Sequence, residues 1–208
     1  MNASAAQRST GKRRTGAVHM TEFTKTGVTR RALLGAFVAT TLAAAPTYSN
    51  AAGFLRGAGD IRRLKMVSSR TGEQIDTIYW IEGEYIKDAV QEISYFMRDW
   101  RLDAVKPIDT RTIDIMAAAH ALVDTTEPYK MLSGYRSSKT NAMLRSRSRN
   151  VARQSLHITG QAADLRLSSR SVAQLSQAAQ SCRAGGVGRY YRSNFVHMDC
   201  GDLRSWNG

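Results

Sequence analysis

Apolar positions recur along this chain with two different periods. From Ile61 to Ser68 and from Ile75 to Ile81 they alternate with polar ones, as in strands with one buried face, and Ser69-Arg70-Thr71-Gly72-Glu73 between them reads as a hairpin connection. Tyr79 and Trp80 are expected to help cover that sheet. The period then lengthens. Tyr85, Ile86, Ala89, Val90, Ile93, Phe96, Met97 and Trp100 recur at steps of three and four, which predicts an amphipathic helix. After Pro107, Asp109 or Thr110 can cap a second helix containing Ile113, Met116, Ala117, Ala119, His120 and Val123. Pro128 to Leu132 reads as a short strand that delivers Ser133-Gly134-Tyr135-Arg136 into a loop, where Gly134 frees the backbone, and Ser138 to Leu144 reads as a short helix. Alternation returns at Asp164-Leu165-Arg166-Leu167, and Val172 to Cys182 is a further helix with Val172, Leu175, Ala178 and Ala179 on its apolar face. Gly185-Gly186-Val187-Gly188 lacks the strand-then-helix setting of a phosphate loop and reads as a flexible turn that frees Arg189-Tyr190-Tyr191 to enter a terminal hairpin. The fold class expected is α+β: a central antiparallel sheet with helices packed on one side and a cleft across its open face.

The first 51 residues do not share this patterning. Thr29-Arg30-Arg31-Ala32-Leu33-Leu34 is a twin-arginine pattern leading into an uncharged run from Ala32 to Pro46, and Ser49-Asn50-Ala51 offers a small-residue cleavage site. The run is short for a membrane span, so residues 1–51 read as a twin-arginine export signal that leaves no stable membrane anchor after cleavage. Met20 offers a more ordinary start than Met1, which makes residues 1–19 a candidate start-site artefact. Residues 52–84 then form a linker and an N-terminal β-hairpin, and 85–208 the main domain. Such export implies the periplasm or cell envelope as the working compartment.

With 42% hydrophobic and 23% charged residues the composition is that of a globular protein, and 208 residues suffice for one buried core. The balance of 30 basic to 17 acidic residues is more informative, although seven of the former and one of the latter lie in residues 1–51, leaving about +7 on the rest. Four arginines fall within residues 145–153. No aromatic side chain is interleaved there for base stacking, so the reading is no nucleic acid, but a basic loop facing an anionic polymer or simply solvent.

The candidate chemistry lies in Ser155-Leu156-His157-Ile158-Thr159-Gly160-Gln161-Ala162-Ala163-Asp164 and in Asn194-Phe195-Val196-His197-Met198-Asp199. Two histidines and a carboxylate are the ligand types of a catalytic Zn2+ site that keeps a fourth position open, which makes His157, Asp164 and His197 the candidate triad. His157 sits in a polar turn before Gly160, and Asp164 opens an alternating segment. In the last segment the period of two puts Val196 and Met198 on one face and His197 and Asp199 on the other. His120, with no partner in view, is assigned to packing or surface. Cys182 and Cys200 are the two cysteines. In an oxidising envelope they are a candidate disulfide worth about 3 kcal/mol, whereas Cys200 as a ligand would lie on the strand face opposite His197.

Ser-x-His-x-x-Gly-x-Ala-x-Asp-Leu with a late strand carrying His resembles the zinc peptidases that include D-Ala-D-Ala carboxypeptidases, murein endopeptidases and the Hedgehog signalling domain. Ser133-Gly134-Tyr135-Arg136-Ser137 and the closing Phe-Val-His-Met-Asp-Cys-Gly resemble the YcbK-like branch of that superfamily, over roughly residues 85–208. The resemblance maps His157, Asp164 and His197 onto the zinc ligands, Arg136 onto an arginine that binds substrate or stabilises the oxyanion, and Ser155 onto a residue that positions the peptide or His157. It implies hydrolysis of peptide bonds in peptidoglycan stem peptides, as a cross-link endopeptidase or a trimming carboxypeptidase. The alternative, for which Hedgehog is the precedent, is a non-catalytic, zinc-containing peptidoglycan-binding module. One position departs: many relatives carry an acid three residues before the last histidine as general base, and here it is Asn194. Asp199, on the strand face of His197, is the expected substitute.

Overall fold

The computed structural model describes residues 59–148 and 151–208. The expected export signal and the expected linker through residue 58 lie outside the described residues. In chain order the elements are β1 (Ile61–Ser68), β2 (Gln74–Ile81), β3 (Glu84–Tyr85), α1 (Lys87–Phe96), α2 (Thr110–Leu122), β4 (Tyr129–Ser133), α3 (Ser138–Arg147), a 3-10 turn (Leu156–Thr159), β5 (Ala162–Arg166), α4 (Val172–Ser181), β6 (Gly186–Tyr190), β7 (Phe195–Asp199) and β8 (Arg204–Asn207). All strands join one 8-stranded sheet in the order β3-β2-β1-β4-β5-β7-β6-β8. Neighbours are antiparallel except β1/β4 and β6/β8, which run parallel. The α+β class expected from the sequence is the one observed.

Strand alternation divides the sheet's two faces. Leu64 and Met66 of β1, Ala163 and Leu165 of β5, and Val196 and Met198 of β7 are buried in one core with Ile93 of α1, Met116 of α2 and Leu175 of α4. The intervening residues Asp164 and His197 therefore project from the other face. Helix caps follow local chemistry: Asp109 accepts from the Arg111 amide ahead of α2, and Ser171 forms a capping box with Gln174 ahead of α4. Helix α1 is shorter than its apolar period suggests. Tyr85 pairs with Trp80 as a strand residue, and beyond Phe96 the chain turns through a bridge between Asp99 and Ala104, leaving Trp100 at the surface under the Arg101 guanidinium.

The core has one ionic hub that hydrophobic patterning does not reveal. Arg62 donates to Asp114 at 2.8 Å with both side chains buried (5% and 4% exposed), and the same carboxylate accepts from Tyr79 at 2.9 Å and Tyr85 at 2.6 Å. Trp80 covers the guanidinium, 4.1 Å from its ring centroid. This cluster ties β1, β2 and β3 to α2. His120 is a packing residue, with its Nε2 at 2.7 Å from the Glu127 carbonyl and its ring against Tyr129.

Three expectations need correction. The segment 185–188 is no flexible turn, because Gly186 to Gly188 lie inside β6, where a side chain would collide with Asp199, Arg204 and Trp206. The basic connection after the short helix begins later, since α3 continues through Arg147. Cys182 and Cys200 form no disulfide. Both are buried, but the Cys182 thiol turns back to the Ala178 carbonyl of its own helix, whereas Cys200 lies beside Thr112. Burial pushes the Cys182 thiol up to about 11, so it behaves as an apolar side chain.

Asp114→Ala should lower the unfolding free energy by about 3–5 kcal/mol in urea titrations, because it leaves the Arg62 charge buried and unpaired. A loss below about 1 kcal/mol would show that Trp80 and the backbone suffice to hold Arg62.

Candidate metal centre

His157, Asp164 and His197 meet on the open face of the sheet. In the β5/β7 ladder Asp164 lies directly opposite His197, so pairing alone brings two of the three side chains together. The third arrives on the 3-10 turn, which closes with Gly160 at φ 74, a left-handed conformation suited to glycine. His157 Nε2 lies 3.2 Å from Asp164 Oδ1 and 3.2 Å from His197 Nδ1, and His197 Nδ1 lies 2.9 Å from Asp164 Oδ1. Donors on a tetrahedral Zn2+ with bonds of about 2.0–2.1 Å stand roughly 3.3 Å apart, close to this triangle.

The hydrogen bonds on the far ring nitrogens support the same reading. His157 Nδ1 sits 2.7 Å from the Gly134 carbonyl, to which it can only donate, so in the neutral ring Nε2 presents a lone pair to the triangle. His197 Nε2 sits 3.0 Å from Asp199 Oδ2, and a proton there leaves Nδ1 as the second lone pair. Two imidazole lone pairs and a carboxylate oxygen then face one another, an arrangement that a cation relieves. Burial lowers the pKa of His157 and favours its neutral form. Burial also works against charge on His197, but the hydrogen bonds to Asp164 and Asp199 outweigh it and raise the value to about 8. The Asp164 carboxyl, though buried, is held well below the usual carboxylate range by the two imidazoles.

Arg136 stands at the edge of this group, its Nη2 3.9 Å from Asp164 Oδ2, with 12% of its side chain exposed. The loop carrying it is pinned from three sides. The Tyr135 amide donates to Met97 O at 2.7 Å, the Arg136 amide to His157 O at 3.0 Å, and Asp99 accepts from both the amide and the hydroxyl of Ser137. Gly134 is required by close packing rather than by freedom of the backbone: a Cβ there would lie 2.5 Å from the Met97 carbonyl oxygen. The buried Arg136 Nε has no hydrogen-bond partner among the described residues, and Arg136 lines a cleft of about 580 Å³. Ser155, Asp164 and His197 line that cleft, with Tyr190, Phe195 and Trp206 forming an aromatic wall.

Asp199 is not where a general base would stand. It is fully buried behind His197, and its oxygens accept from His197 Nε2, the Gly186 and Gly201 amides and the Arg204 guanidinium, which leaves none for water or substrate. Its position is that of a carboxylate that orients the His197 ring. Asn194 is also outside the cleft lining: it occupies the exposed β6–β7 turn with φ 51, a backbone conformation asparagine tolerates better than most residues. Sequence patterning does not single out Arg204 or Trp206. The signal was present as glycines two apart on a strand, Gly186 and Gly188, which mark close approach by a neighbour.

A family model described as peptidoglycan L,D-endopeptidase MepK matches residues 56–206. The chain belongs to this family. It is 41% identical over 145 residues to the peptidoglycan L,D-endopeptidase MepK of Escherichia coli (strain K12), an alignment covering 70% of this chain and 80% of that protein. It is 33% identical over 148 residues to the probable peptidoglycan L,D-endopeptidase MepK of Haemophilus influenzae, covering 71% and 80%. The zinc peptidase superfamily expected from the motifs is thus the right one, and the matched region contains all three candidate ligands.

Purified protein should carry about one zinc per chain by plasma mass spectrometry, and His157→Ala or His197→Ala should abolish it. Asp199→Asn, which keeps all three ligands, should weaken zinc affinity by about 10–100-fold in chelator competition. Full affinity in that variant would mean that Asp199 does not orient His197.

Proposed function

We propose that this chain is an exported, zinc-dependent peptidoglycan L,D-endopeptidase. The observation that carries this reading is the convergence of His157, Asp164 and His197, donor atoms 2.9–3.2 Å apart, at the wall of a cleft large enough for a peptide. Family membership adds the substrate: the relatives' names specify peptidoglycan and a peptide bond of L,D type. The twin-arginine pattern before residue 52 supports a periplasmic or envelope location, where that polymer is found.

In this reading His157 Nε2, Asp164 Oδ1 and His197 Nδ1 hold the ion. A zinc held by these residues would supply polarisation of the scissile carbonyl and activation of a water. The chain's own groups do the rest. The Gly134 carbonyl and the Asp199 carboxylate keep both imidazoles in the tautomers that ligate. Arg136, charged and nearly dry beside Asp164, stabilises the negative charge that develops on the carbonyl oxygen or pairs with a substrate carboxylate. Ser155 and the aromatic wall position the peptide in the cleft.

A second reading, a zinc-containing module that binds peptidoglycan without cutting it, is favoured by one feature. Asp164 is the only carboxylate residue lining the cleft among the described residues, and in the proposed site it is a ligand. Digestion of purified sacculi separates the two. Wild-type protein should convert cross-linked muropeptide dimers to monomers on chromatography. His197→Ala should lose more than about 100-fold of that rate, beyond the range of outer-layer substitutions. A chelator should stop the wild type and added zinc restore it. Intact dimers alongside protein that co-sediments with the sacculi would overturn the peptidase reading in favour of the binder.

A further inference from the structure

Strand β8 lies at the edge of the sheet, one strand removed from β7, yet two of its side chains reach β7 residues at the metal site. In the parallel β6/β8 pair Arg204 lies beside Gly186 and Trp206 beside Gly188, while in the antiparallel β6/β7 pair Gly188 lies beside His197. The two β6 positions that separate β8 from the site therefore carry no side chain. Arg204 crosses the first gap and grips Asp199 with both guanidinium nitrogens, Nη2 to Oδ2 at 2.7 Å and Nη1 to Oδ1 at 3.1 Å. Trp206 crosses the second, its ring centroid 5.3 Å from that of His197, and its Nε1 donates to the Tyr190 hydroxyl at 3.1 Å, which fixes the indole in place. A Cβ at Gly188 would lie 2.6 Å from the indole ring and one at Gly186 would lie 2.6 Å from the Arg204 guanidinium, so the crossing needs glycine at both places.

We propose that β8 is a positioning strand for the metal centre, in which Arg204 and Trp206 reach across Gly186 and Gly188 to fix Asp199 and His197 in ligating geometry. The proposal rests on the reading of His157, Asp164 and His197 as ligands and adds the residues that set one of them. Arg204 acts through Asp199. By occupying both carboxylate oxygens it stops the carboxylate from rotating and keeps Oδ2 aimed at His197 Nε2. Trp206 acts on the ring itself, lying beside the imidazole with the two planes tilted by 53°. Neither is a ligand, and neither needs to touch substrate for this role.

Zinc affinity, read by chelator competition, and the visible spectrum of the Co2+-substituted protein test this without reference to activity. Arg204→Met and Trp206→Leu should each weaken zinc binding about 10-fold or more and alter the Co2+ spectrum. Arg204→Lys, which keeps the charge but not the two-pronged grip, should recover part of the loss. Gly188→Ala should weaken binding in the wild-type background and add nothing in Trp206→Ala, because its effect passes through the displaced indole. Ser205→Ala, on the other face of β8, should change neither readout. The proposal is overturned if the Arg204, Trp206 and Gly188 variants keep wild-type zinc affinity and Co2+ spectrum, including the case in which only their thermal stability falls. Wild-type protein that binds no zinc would instead overturn the ligand assignment, and the proposal with it.

Discussion

The site depends on the register of one strand pair. Asp164 faces His197 across the β5/β7 ladder only because Ala163 and Leu165 on one strand, and Val196 and Met198 on the other, are held in the core on the opposite face. A slip of one residue in either strand would turn that strand's member of the triad inward and expose its two apolar neighbours, so the energy that fixes the geometry of the triad is hydrophobic burial on the other side of the sheet. His157 has no such ladder. It is placed by the 3-10 turn and by reciprocal bonds with the neighbouring loop, Nδ1 to the Gly134 carbonyl and its own carbonyl to the Arg136 amide. His157 and Arg136 are therefore set by one pair of interlocked turns, and a shift in either moves both.

Much of this is legible from residues alone because it obeys short periods. Alternation in Phe195 to Asp199 is enough to put His197 and Asp199 on one face, and the ligand chemistry of His157, Asp164 and His197 narrows the function. The parts that patterning gets wrong share one physical feature: they are contacts between backbones or between edge strands. Gly134 and the glycines of β6 look like hinges in sequence, because glycine is both the residue of free backbone and the residue of tight approach. Patterning cannot tell these apart, since the colliding partner is distant in the chain. The role expected of Asp199 fails for a related reason. Its strand face is as expected, but its depth, sealed beneath His197 by two amides and a guanidinium, is set by Gly186, Gly201 and Arg204 from other elements. The cysteines illustrate the same limit, since both are buried in one core while their thiols point to different neighbours.

Two Asp–Arg pairs built on a buried carboxylate show how similar chemistry serves different ends. Asp114 is satisfied by Arg62 and by the hydroxyls of Tyr79 and Tyr85, all donors that neutralise it within the core and knit β1, β2 and β3 to α2. Asp199 also has an arginine, but its remaining donors are two backbone amides and an imidazole. Removing Arg62 would leave a charge stranded in apolar surroundings and register chiefly as lost stability. Arg204 is different because it is 43% exposed, so solvent can replace much of what its charge contributes to folding. What solvent cannot replace is direction. Water would leave the Asp199 carboxylate free to turn between its amide donors, and the imidazole that depends on one of its oxygens would turn with it. An exposed arginine on a fully buried carboxylate thus contributes orientation more than stability, and through Asp199 that orientation reaches the His197 ring.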